Sequence, residues 1–101
     1  MRMLLKAVID TEAANQGSLA GTVVENTARL VDALKAEADY FVVQDGQRTC
    51  IIVFDMEDPS QIPAVCEPMF LSTKAKITLT PCMTLEALRE GFLAYKNTLW
   101  E

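Results

Sequence analysis

Tyr40-Phe41-Val42-Val43-Gln44-Asp45-Gly46-Gln47-Arg48-Thr49-Cys50-Ile51-Ile52-Val53-Phe54 is the stretch that decides the fold. Two runs rich in β-branched and aromatic residues, 40–44 and 49–54, flank Asp45-Gly46. A two-residue hairpin turn needs positive φ at its centre. Glycine adopts that conformation freely and aspartate tolerates it, so the spacing predicts two antiparallel strands joined by a tight turn.

Upstream, residues 3–9 form an aliphatic run that reads as a first strand. Alternation puts Met3, Leu5, Ala7 and Ile9 on one face, and Arg2, Leu4, Lys6, Val8 and Asp10 on the other. Thr11 to Gly17 is small and polar and reads as a loop. Ser18 then caps a helix predicted to run to about Lys35, with Leu19, Val23, Thr27, Leu30 and Leu34 along one stripe and Val31 widening it. Gly21 and the pair Val23-Val24 weaken its start.

Downstream, Asp58-Pro59-Ser60-Gln61 carries the signature of a helix start: a capping aspartate, proline at the first helical position and glutamine three residues on. Ile62, Val65, Cys66, Met69 and Phe70 are its expected buried stripe. Pro63 and Pro68 predict an irregular or kinked helix ending near Leu71, with a proline-rich loop as the alternative. Lys76 to Thr80 alternates strictly and reads as a fourth strand that Pro81 stops. Thr84 caps a last helix to about Lys96, with Leu85, Leu88, Phe92 and Tyr95 on one side. Gly91 beside that stripe suggests a close helix approach, and Trp100 an anchor for the tail on a partner subunit.

The order is β-α-β-β-α-β with one further helix. It predicts an α+β, ferredoxin-like domain over residues 1–101, with a four-stranded antiparallel sheet in order 4-1-3-2, the main helices on one face and an extra C-terminal helix. The helix-covered face takes Met3, Leu5, Ala7, Ile9, Cys50, Ile52, Phe54, Ile77 and Leu79. The open face shows Leu4, Lys6, Val8, Thr49, Ile51, Val53, Asp55, Lys76, Thr78 and Thr80. The second strand adds either Tyr40, Val42 and Gln44 or the alternate set. Leu4, Val8, Ile51 and Val53 would leave an apolar strip in water, which marks an interface or a ligand site.

At 101 residues the chain has room for one core. Fourteen acids against nine bases give a net charge of −5, which disfavours nucleic acid and anionic membrane as partners. There is no histidine, so His-based triads, His-ligated metals and imidazole proton shuttles are excluded. Cys50, Cys66 and Cys82 form no C-x-x-C pair and read as reduced thiols, the first two in the core. The N-terminal apolar run is interrupted by Lys6 and closed by Asp10, unlike a signal peptide, and no window approaches 18 apolar residues. A cytoplasmic protein is expected. No phosphate-binding glycine loop, dinucleotide fingerprint or nucleophile elbow occurs.

The stretch from Ala36 to Leu85 resembles a small uncharacterised bacterial family within what looks like the dimeric α/β-barrel superfamily. The likeness rests on Ala38-Asp39-Tyr40-Phe41, Asp45-Gly46-Gln47-Arg48-Thr49, Val53-Phe54-Asp55-Met56, Asp58-Pro59-Ser60-Gln61-Ile62-Pro63, Glu67-Pro68-Met69-Phe70 and Thr80-Pro81-Cys82-Met83-Thr84, with the opening strand from Met1 to Ala7. Residues 11–34 fit least well. The resemblance implies a ferredoxin-like protomer and a homodimer that packs sheet against sheet. The superfamily includes cofactor-less monooxygenases, muconolactone-type isomerases, haem-degrading enzymes, chlorite dismutases and ligand-sensing modules. Several of these use a cavity histidine that this chain lacks.

Six residues are candidates for a ligand site. Lys6 and Lys76 on adjacent strands, with Thr78 between neighbours, would suit an anion or carboxylate; solvated or interfacial lysines are the alternative. Asp10 and Asp55 each end a strand on one face and would suit paired acid–base work, although caps and turns also explain them. Tyr40 would donate a hydrogen bond into a cavity or cover the sheet edge. Arg48 and Glu67 read as an ordinary surface arginine and a salt-bridge partner. The expectation is a homodimer that binds a small, anionic organic molecule on its open sheet face, with cofactor-independent oxygenase or isomerase activity as its enzymatic form. No cofactor and no metal site is expected. The rival is a non-catalytic interaction or regulatory module.

Overall fold

Asp45 and Gly46 both take positive φ, 53° and 75°, and turn β2 (Ala38–Gln44) back onto β3 (Gln47–Asp55). Glycine is what makes the second position cheap. The computed structural model describes residues 1–99, and the side chains of all of these but 18–20 and 99. β1 (Arg2–Val8) pairs antiparallel with β3 and with β4 (Lys76–Pro81). The sheet runs β2-β3-β1-β4, which is 4-1-3-2 counted from the other edge. With four helices, this is a mixed α+β architecture.

Alternation along β1 decides the two faces. Met3, Leu5, Ala7 and Ile9 are buried, and so are Cys50, Ile52 and Phe54 of β3 opposite them. Val23, Leu30, Val65, Cys66 and Met69 from the helices close over this face. Ile77 and Leu79 of β4 are half-buried at its margin.

The expected loop at residues 11–17 is instead helix α1 (Thr11–Ala20), and Ser18 lies inside it rather than capping its successor. The cap is Asp10, whose Oδ2 accepts from the Ala13 N–H at 3.0 Å. Ala13 and Ala14 favour the helix, and Ala14 is buried. Gly21, with φ of 75°, breaks the helical path, and α2 (Thr22–Leu34) starts beyond it.

Asp58 accepts from the Ser60 N–H at 2.9 Å, and Gln61 Oε1 accepts from the Asp58 N–H at 3.2 Å, a capping box. A 3₁₀ turn (Pro59–Gln61) leads into α3 (Ile62–Thr73), which passes through Pro68 and ends two residues beyond the expected Leu71. Ile62 and Phe70 are each 43% exposed, contrary to the expected stripe. The buried line runs Val65, Cys66, Met69, Thr73, and Phe70, four residues after Cys66, falls at its margin, about 40° beyond it.

Thr84 caps α4 (Leu85–Leu99), its Oγ1 accepting from the Ala87 N–H at 3.1 Å. Among the described residues α4 packs extensively against no other element. A Cβ on Gly91 would meet nothing within 4 Å, so no helix approaches there. Trp100 lies outside the described residues. The projecting helix explains extents of 60 × 29 × 18 Å and a radius of gyration of 16.5 Å. A compact chain of this length would have about 13 Å. Among the described residues no helix is long and apolar enough to cross a membrane.

Candidate functional site

The strand register arranges the open face as transverse rows. One row reads Tyr40, Ile51, Lys6, Thr78 across all four strands. The rows on either side read Ala38, Val53, Leu4, Thr80 and Val42, Thr49, Val8, Lys76. Four of the six candidates, Lys6, Tyr40, Lys76 and Thr78, are therefore brought together. The same register places Tyr40, Val42 and Gln44 of β2 on the open face.

Lys6 sits centrally and half-buried between the strips made by Leu4, Val8, Ile51 and Val53, all likewise half-buried. Thr78 is its direct neighbour on β4, roughly 5 Å away, and Lys76 is diagonal to it at about 7–8 Å. Tyr40 lies two strands away on the other side, about 10 Å, and is 66% exposed. Thr49 is fully buried, its hydroxyl donating to the Gln47 carbonyl at 3.2 Å. Lys6 and Lys76 are the only formal charges in the three rows, on a protein whose net charge is −5.

Asp10 and Asp55 do not join this group, and they do not join each other. Asp10 caps α1, and its backbone N–H donates to the Thr73 carbonyl at 3.1 Å. Asp55 lies opposite Arg2 at the far end of the face, where its Oδ1 is 2.6 Å from the Met1 amine. Arg2 Nε in turn donates to Glu37 Oε1 at 2.5 Å, and that carboxylate raises the guanidinium pKa further. These four charges close one end of the face and leave its centre cationic.

A second feature was not legible in the alternation of residues 40–44. Phe41 and Val43 face the helix side, yet no helix covers them; Val43 is 79% exposed. They and α2 form an open groove of ≈ 600 Å³. Comparison with known proteins finds no family model and no curated protein that matches the chain.

Proposed function

We propose that the chain acts as a ferredoxin-like homodimer of the dimeric α/β-barrel type, binding a small organic anion between two open sheet faces. The observation that supports this is the pair of lysines, Lys6 and Lys76, set as the sole charges within a half-buried apolar field. Burying Leu4, Val8, Ile51 and Val53 against a second copy is favourable at about 25 cal/mol per Å² of apolar surface. The same contact brings four ammonium groups toward one another, and their repulsion grows as water leaves. An anion between them removes that conflict, with Thr78 and Tyr40 supplying hydroxyl donors. A carboxylate or phosphate on a mainly apolar skeleton matches both features of the face. Turnover, as an oxygenase or isomerase, would follow binding at this same row.

Thermal denaturation with a panel of small aromatic and aliphatic carboxylates and phosphate esters tests the reading. At least one class is expected to raise the melting temperature of the wild type and of Asp10→Ala, and to have no effect on Lys6→Met or Lys76→Met. Equal stabilisation of the lysine variants, or none of the wild type by any anion, would overturn it.

A further inference from the structure

We infer that α4 is an exchanged arm, whose apolar stripe seats in the α2–β2 groove of a second copy of this chain. This goes beyond the sheet-face dimer, since arm exchange requires no particular pair of faces to meet.

The groove is lined by Val24, Ala28 and Val31 of α2 and by Phe41 and Val43 of β2. The α2 residues fall at steps of four and three, so they make one ridge. From Val24 to Val31 is seven residues, about 10 Å of helix, and Leu85 to Phe92 on α4 is the same length. Leu85, Leu88, Phe92 and Leu93 are all exposed, Phe92 at 64%. An apolar stripe of this size in water is out of place on a monomer.

Charge completes the match. Asp32, Asp39 and Arg48 also line the groove. On α4, Arg89 and Lys96 flank Phe92 and Leu93, while Glu86 and Glu90 border Leu85. The arm thus offers two cations to the two groove carboxylates and two carboxylates to the groove arginine.

The arm cannot serve its own groove. The Cys82 N–H donates to the Arg2 carbonyl at 3.1 Å, which fixes the root of the arm beside β1. Residues 82–84 reach at most about 10 Å. β2 lies three strand spacings from β4, about 14 Å, at the opposite edge of the sheet. A second copy is the occupant this geometry leaves. In a face-to-face dimer with its two-fold axis along the strands, β4 of one copy lies over β2 of the other, which brings the root of the arm to the sheet edge that bears the groove.

The test places a photoreactive benzoylphenylalanine at position 92 of the full chain and irradiates an equal mixture of ¹⁵N-labelled and unlabelled protein. Mixed-isotope cross-links to residues 23–43 at dimer mass are expected. Ala28→Arg, at an exposed position that the fold does not need, should lower their yield by at least about tenfold, because its long side chain fills the middle of the groove that the stripe must enter. Cross-links within one chain, cross-links to residues 4–8 or 49–53, or undiminished yield in Ala28→Arg would overturn the arm and leave the sheet-face dimer standing. A monomer at every concentration would overturn both.

Discussion

Gly46 and Cys50 show two ways in which a single residue carries this structure. Gly46 holds φ of 75° with open space around the position of a Cβ, so Gly46→Ala introduces strain and no clash. It should cost about 1–2 kcal/mol in urea unfolding and leave the spectrum of the folded state unchanged. Burial, with a smaller push from the Asp39 carboxylate, raises the Cys50 thiol from its ordinary 9.0 to about 11. The unfolded thiol therefore loses its proton first. Stability from this group is complete below pH 9 and falls as pH rises from about 9 to 11. Urea midpoints measured at pH 8 and pH 10.5 should show that fall, and Cys50→Ala should reduce it. Cys66 is shifted the same way, by burial first and Glu67 second, whereas Cys82 is half-exposed. Iodoacetamide at pH 8 should accordingly modify Cys82 first. Asp45-Gly46 was fully legible beforehand because a local rule of φ governs it. Asp10 was legible as a strand-end acid that a cap or turn would also explain, but the helix it caps was not, because composition disguised it.

Among elements, the strands were easier to read than the helices, for a physical reason. Period-two alternation along β1 and β4 requires only that one face be covered, and Met3, Leu5, Ala7, Ile77 and Leu79 satisfy it locally. Helix α1 has almost no apolar stripe. Its existence rests on alanine content and the Asp10 cap, so a search for periodicity passes over residues 11–17. Asp10→Ala should destabilise the protein by about 1 kcal/mol, the usual worth of an N-cap, without altering anion binding. An equal loss of binding would return Asp10 to the site. In α3, Pro68 is tolerated well inside the helix, and the buried line at Val65, Cys66 and Met69 fixes which face meets the sheet. Proline spacing alone suggested an earlier end.

Over the whole molecule, two apolar surfaces share one deficit. The helices cover one face of the sheet, leaving Leu4, Val8, Ile51 and Val53 half-exposed on the other. They also leave β2 bare on both sides. Alternation alone assigns the open-face residues of β1, β3 and β4. The row that unites Tyr40, Lys6 and Thr78 required the register, which no single strand encodes. The period of Leu85, Leu88 and Phe92 on α4 was visible, but that no other element packs extensively against α4 among the described residues was not, because periodicity says that a face is apolar and not what covers it.

The claim that the open face is covered by a second copy is tested most directly by mass. Light scattering after size exclusion, over a wide concentration range, would compare the wild type with Val53→Arg. The wild type should scatter at twice 11.2 kDa, and Val53→Arg, which puts a charge into the contact without touching the core, should shift toward 11.2 kDa. A wild type that stays at 11.2 kDa throughout, or a Val53→Arg dimer as tight as the wild type, would contradict it.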